Sequence, residues 1–536
     1  MKFFKLMGLS SALCLSAMPL LAQETNEVEQ LKKQLQQMQE GFDKVQREQK
    51  QQLDLLMKQI ETLQKNQTTV SAEQEKLKQE MARPISEVAP ATALSEKKPW
   101  SPSDPIQLFG SGQNYLNLSF NGLFAAGTST ADDINELQPG GHDPKQRGFN
   151  VQNLETVFEG IVDPYFRGQA NIVLLIDPDG ETIVEAEEAY LETMSLPGNL
   201  QLKAGQYYTE FGRLNSTHPH SWDFVDQPLV NNRFLGPDGL RNPGARLSWL
   251  APTPFYSELF LGLQNSSGET ATSFRSAGGH AHGGEEDEEE LPFAYRHPDN
   301  DRGVRGLDDM LFAPRYAVSF DVTDNQTILL GTSAAFGPNS SGESGDSRTQ
   351  IYGADFKWKW TSPDHNGGFP FVTWQTEAML RKFRTGSFDW DEDANLGDGD
   401  GNTFPDEGVL VDTATGLPVN LGRETLTDYG FYSQLSYGFK KGWVAGLRFD
   451  YLDGKRADYE KLSLVLADNL GGGDAVGLDP QRIQRWRISP NLTWYPSEFS
   501  KFRLQYNYDD REKIGVDHSV WLQFEFLLGS HAAHKF

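Results

Sequence analysis

Two stretches of the chain set histidines two residues apart beside carboxylates. In HAHGGEEDEEE, His280 and His282 precede Glu285 and Glu286. Imidazole nitrogens and carboxylate oxygens together can hold a borderline divalent ion such as zinc. The flanking glycines fix no geometry, and a solvated acidic loop has the same composition. In STHPHSWDFVDQPLVNNRFLGPDGLR, His218 and His220 stand with Asp223, Asp226, Arg233, Asp238 and Arg241. Trp222, Phe224, Leu229 and Phe234 lie among them, an unusual load for a loop in water. A loop that packs its aromatics and presents its charges can narrow a passage and select what crosses it. The same charges can instead cap turns and pair with one another. The acidic run DWDEDANLGDGDG spaces its Asp residues somewhat like a calcium loop, without the sixth-position Gly or the closing Glu. No Ser/His/Asp set can be assembled, and no H-E-x-x-H occurs. The expectation is a protein that is not an enzyme and requires no cofactor, with zinc or calcium as surface ions.

The elements that must carry these loops read as strands. In KFRLQYNYD, Phe502, Leu504, Tyr506 and Tyr508 alternate with Lys501, Arg503, Gln505, Asn507 and Asp509. Successive side chains of a strand point to opposite faces. The pattern fits a half-buried sheet, or an inside-out one with lipid on the apolar face and a water-filled lumen on the other. QRWRISPNLTW and YGADFKWKW repeat it, placing Arg485 and Arg487, and Lys357 and Lys359, opposite tryptophans. A basic residue in mid-strand is costly against lipid and useful against water. On that reading Arg167, Lys203 and Arg246 join Arg315, Arg381 and Arg448 on the lumen wall, with Lys501 and Arg503. Inward acids include Glu155, Glu159, Asp355, Glu377, Asp428, Asp450 and Asp509. Opposed rows would set a transverse field; cross-strand pairing is the other use of the same residues.

Sixteen such strands are expected between residues 114 and 528. Short connections (VDPY, SLPGN, APTP, TDNQ) alternate with long ones (128–149, 213–242, 266–312, 384–425, 454–483). Short turns on one side and long loops on the other mark outer-membrane barrels. The fold class expected is an all-β transmembrane barrel of about 16 antiparallel strands, preceded by an α-helical coiled coil. Residues 1–22 have Lys2 and Lys5, an apolar run and Ala22, the form of a secretory signal. Cys14, the one cysteine, leaves with it, and the net charge moves from −27 to −29. So acidic a chain is a poor partner for nucleic acid. Residues 26–82 carry apolar residues at steps of three and four, from Val28 and Leu31 to Leu77 and Met81, as in a coiled coil. A seam this thin needs partner helices, which leads to an expected homotrimer, with a dimer still open. Residues 83–112 read as a Pro/Ala/Ser-rich linker, and 113–536 as the barrel.

At AYLETMSLPGNLQLKAGQYYTEFGRLN the chain resembles the phosphate-selective porin (O and P) family. The matching residues are Ala189-Tyr190-Leu191-Glu192, Gly205-Gln206 and Phe211-Gly212. The resemblance implies sixteen strands, a constricted pore, trimers and passive diffusion. The family's arginine ladder and lysine cluster cannot be matched to residues here, so phosphate selectivity does not carry over. The expected role is a water-filled channel for small hydrophilic or charged solutes, in the outer membrane of a Gram-negative bacterium with the coiled coil in the periplasm. The alternative is a metal-linked uptake protein or receptor that uses the His/acidic loops.

Overall fold

A computed structural model describes residues 106–111, 114–161, 163–275, 296, 304–343, 345–390, 409–455, 464–466, 482–512 and 514–529. The signal, the coiled-coil stretch, His280, His282, Glu285 and Glu286 lie outside them.

Sixteen antiparallel strands close into a barrel. In chain order they are β1 (Asn114–Ser129), β2 (Gly148–Ile161), β3 (Phe166–Ile176), β4 (Thr182–Thr193), β5 (Leu200–Tyr208), β6 (Arg241–Leu250), β7 (Tyr256–Asn265) and β8 (Met310–Thr323). The second half is β9 (Gln326–Pro338), β10 (Arg348–Asn366), β11 (Phe369–Arg384), β12 (Thr425–Lys440), β13 (Trp443–Lys455), β14 (Arg485–Ser497), β15 (Ser500–Arg511) and β16 (Gly515–Leu528). Each pairs with its sequence neighbour, and β16 returns to β1 from Phe120↔Leu528 to Ser129↔Ser519. The expected strands are all present, within a few residues at their ends. A short lead strand, Ile106–Ser111, begins inside the stretch expected to be linker and pairs with the first residues of β1 below the end of β16. It supplies hydrogen-bond partners that β16 is too short to offer there.

The wall is inside out. On β15, Lys501, Arg503, Gln505, Asn507 and Asp509 are buried, while Phe502, Leu504 and Tyr506 are exposed. Trp443, Trp494, Phe502, Phe524 and Phe526 make a run of ring contacts, with centroids 4.9–6.3 Å apart, across the outer face of β13–β16 near the short turns. Such belts sit at the edge of the hydrocarbon layer.

Two bulges break the alternation on one side. Gln152 is an extra residue between the pairs Leu123↔Asn153 and Phe124↔Val151. Glu187 is one between Asn171↔Glu188 and Ile172↔Ala186. A bulge lets consecutive residues face the same way. Gln152 and Asn153 are both buried, as are Glu187 and Glu188.

Leu504→Arg would place a guanidinium on the lipid face near the middle of β15, costing about 2–4 kcal/mol of barrel stability. Urea-driven unfolding from lipid vesicles reads this loss; the exposed Leu417, in a long loop, should tolerate the same change.

Candidate functional site

The third outward connection, residues 209–240 (L3), runs through the lumen. Its departure explains why β5 stops at Tyr208 rather than near residue 212, where the sequence alternation would carry it. Gly212 takes φ +61°, and a Cβ there would lie 1.9 Å from Glu377 Oε2. Only glycine fits that conformation so close to a carboxylate. The Gly212 N–H donates to Ser333 Oγ (3.0 Å), and the Arg213 and Leu214 N–H groups donate to the two Glu377 oxygens (3.0 and 2.9 Å). L3 is thereby tied first to β9 and β11.

It then crosses to β13–β15. Lys501 donates to the His220 carbonyl (2.7 Å), and Arg503 donates to those of Trp222 (2.8 Å) and Phe224 (3.0 Å). Asp226 ends this extended run, with Arg448 at 2.6 Å and Arg487 at 2.9 Å. Gln505 and Asn507 also donate to it. A short helix, α1 (Leu229–Leu235), starts as the Leu229 N–H donates to Asp450. Leu229, Val230, Phe234 and Leu235 of α1, with Phe211 and Leu240, pack on the inward residues Ala335, Ile351, Met379, Tyr432 and Leu452. Those wall residues would be apolar surface against water if L3 were withdrawn.

The seven L3 candidates thus separate. Asp226 is a buried anchor. Asp223 is exposed; its carbonyl accepts from Asn491, and Gln434 reaches its carboxylate. Arg233 donates to the Ile483 carbonyl. Asp238 lies against Gly141 of the first outward loop, L1 (residues 130–147). Arg241 pairs with Glu185 at 2.6 Å. His218 and His220 turn to the glutamates of β2 and β4.

Most of the basic wall residues have acidic partners. Arg315 pairs with Asp355 (2.6 Å), Arg381 with Asp428 (2.6 Å), and Arg485 and Arg487 with Asp509 (2.7 Å each). Arg448 also holds Asp450 (2.8 Å), and Lys501 holds Glu525 (2.5 Å). Arg246 pairs with Glu210 (2.5 Å), Arg167 with Glu192 (2.7 Å), and Lys203 lies over the Tyr190 ring (3.8 Å). Lys357 lines open space, and Lys359 follows two residues on along the same face.

That space is a cavity of about 780 Å³ on the short-turn side of L3. Glu159, Glu188 and Glu192 line one side of it, and Arg246, Arg315 and Lys357 are on the wall around from them. Its L3 roof includes His218, His220 and Asp223.

Beside the cavity, L3 meets the acidic strands. His218 Nδ1 is 2.8 Å from Glu187 Oε2 and 3.3 Å from Glu155 Oε1; its Nε2 is 3.0 Å from Glu188 Oε2. His220 Nδ1 is 2.9 Å from Glu155 Oε2, and His142 Nε2 of L1 is 3.2 Å from Glu187 Oε1. Burial alone would lower the His218 pKa, but Glu155 and Glu187 outweigh it and hold the ring well above its ordinary value. The sequence pattern marks Glu155, His218 and His220 as candidates but not His142, Glu187 and Glu188. The run EAEEAYLE was a visible signal for the acids; nothing in the sequence ties His142 to them.

Burial would raise the Asp226 pKa, yet the Arg448 and Arg487 guanidiniums prevail and hold it below the usual range. Since its folded value lies below the unfolded one, the stabilisation is complete above the ordinary carboxylate pKa of about 4 and is lost as pH falls through the lowered value. Hydrogen exchange of the L3 amides should therefore stay protected to below about pH 4. Asp226→Asn leaves two buried guanidiniums short of a counter-charge and should weaken docking by about 3–5 kcal/mol, exposing the same amides at neutral pH.

No protein-family model matches the chain. Among solved structures it is similar to the outer membrane channel DcaP of Acinetobacter baumannii (14% identity, TM-score 0.43, 78% of this chain and 99% of that one). It is also similar to an anion-selective porin from Comamonas acidovorans (7%, TM-score 0.42, 77% and 100%). Likeness at this level says nothing of what passes through this barrel. In sequence it is 30% identical over 416 residues to a protein of Aquifex aeolicus (strain VF5) that bears the name "Uncharacterized protein", a match that spans 74% of this chain and 73% of the other, and the chain belongs to that protein's family.

Proposed function

We propose that the chain is an outer-membrane diffusion channel for small hydrophilic or charged solutes, with L3 as its constriction. The observation that carries this reading is the charged cavity beneath L3, enclosed by a closed barrel whose outer face is apolar. A wall built only for packing has no use for ionised groups of both signs around open space; a path for hydrated solutes does. The short-turn side would face the periplasm, as in barrels of this kind, with the coiled coil on that side joining three copies. Most wall arginines are matched by carboxylates, so they would not form an anion filter. The surplus negative charge, −27 for the full chain, favours cations at the mouths.

Planar-bilayer recording tests this. Wild-type protein should insert in triplets of small conductance steps, with a weakly cation-selective reversal potential in a salt gradient. Asp226→Asn, which weakens the docking of L3, should enlarge each step. Correctly folded protein that never conducts, in either form, would end the channel reading. Conduction in single steps would remove the trimer alone.

A further inference from the structure

We propose that Glu155, Glu187 and His218, supported by His142 and Glu188, form a binding site for one borderline divalent cation of the zinc class, between L3 and the β2–β4 wall. This site is distinct from the His280/His282 loop. It does not depend on whether the barrel conducts.

Three observations carry it. First, one ligand atom from each of Glu155, Glu187 and His218 lies within 4.8 Å of the other two, and the three come from β2, β4 and L3. A tetrahedral zinc ion with bonds near 2.0–2.2 Å sets its ligand atoms roughly 3.3–3.6 Å apart, and His218 Nδ1 lies 2.8 Å from Glu187 Oε2 and 3.3 Å from Glu155 Oε1. Second, His142 points into the cluster in a metal-ligand pose. Its Nδ1 is 3.3 Å from the Gln152 carbonyl, which accepts a proton and nothing else. With the proton on Nδ1, the neutral ring turns its Nε2 lone pair toward Glu187. Nε2 is buried, 3.2 Å from that carboxylate, and without a hydrogen bond of good geometry. A lone pair facing a carboxylate is repelled unless a proton or a cation stands between them. Histidine ligands to metals commonly donate their other N–H to a main-chain carbonyl in this way. Third, hydrogen bonds from neighbouring side chains orient the carboxylates. Asn171 donates to Glu155 Oε1 (2.6 Å) and Tyr208 to Glu187 Oε1 (2.5 Å). Glu155, Glu188 and His218 also line the cavity, which gives an ion a route in.

The Glu187 bulge is what brings the donors together. Without the extra residue, Glu187 and Glu188 could not both face the lumen. The competing account is an ion-pair cluster in which protons on the histidines balance the carboxylates and no metal binds.

Zinc binding to the full chain in detergent distinguishes the two. The parent protein carries His280→Ala, His282→Ala, His531→Ala and His534→Ala, so that neither the acidic loop nor the tail supplies imidazole. After chelator treatment it is titrated with zinc chloride, and bound metal is counted by mass spectrometry. One equivalent should bind, and Glu187→Gln or His218→Asn should weaken it by about tenfold or more. Cobalt(II) loaded into the parent should show visible d–d bands of a site with imidazole ligands, a readout that needs no variant to fold. A parent that binds no zinc overturns the proposal. So does binding unchanged in both variants, or a cobalt spectrum of oxygen ligands alone. Because binding is measured without a membrane, a non-conducting barrel would leave this result untouched, and a metal-free one would leave the channel reading untouched.

Discussion

A strand in lipid has nowhere to send its backbone hydrogen bonds except to another strand. Everything else in this molecule follows from meeting that condition around a ring. The last link, β16 to β1, is the longest-range pairing in the sheet, joining residues near 120 to residues near 528. Where β16 ends, the lead strand Ile106–Ser111 takes over the first residues of β1. Closing the ring fixes which face of every strand is inside. It thereby converts a simple alternation in sequence into a polar interior that must be filled by water, by ions or by the chain itself.

L3 does much of that filling, and its path follows charge. Its carbonyls at 220, 222 and 224 accept from Lys501 and Arg503, and its buried carboxylate Asp226 meets Arg448 and Arg487. Its two imidazoles meet Glu155, Glu187 and Glu188. Burying these charges is a weak source of stability, because desolvation consumes most of the Coulombic gain. The apolar contacts of α1 with Ile351, Met379 and Leu452 are the better candidates for that role.

The strands were legible because period two is a strong signal when both faces carry contrasting chemistry for ten residues or more. The sixteen strands and their parity could be read from stretches such as Lys501–Asp509. L3 was legible as a packed loop from Trp222, Phe224 and Phe234, since a solvated loop has no reason to hold them. Its contacts were not. Asp226 finds Arg448 and Arg487 across more than 200 residues of sequence, and no local pattern encodes which of many arginines a loop acid will reach. The acid cluster was hidden for a different reason. Strict alternation assigns Glu187 and Glu188 to opposite faces, and a bulge, set by pairing with β3, overrides it. The lead strand is a different case: at six residues, Ile106–Ser111 carries too short an alternation to stand out from the linker before it.

Two of the wall segments that L3 touches are polarised, and with opposite signs. β2 and β4 present clustered glutamates, while β13–β15 present arginines and Lys501. A loop carrying histidines at 218 and 220 and an aspartate at 226 can lie across this lumen in one direction only. Reversed, Asp226 would face Glu155, Glu187 and Glu188, and the imidazoles would face Arg448 and Arg487. Like charges in a confined, poorly hydrated space cost several kcal/mol, roughly what a buried pair loses when one partner is removed. The buried ion pairs thus select an orientation more than they add stability. The same selection brings His218 to the glutamates each time the loop docks, which is the condition any cation shared between loop and wall requires.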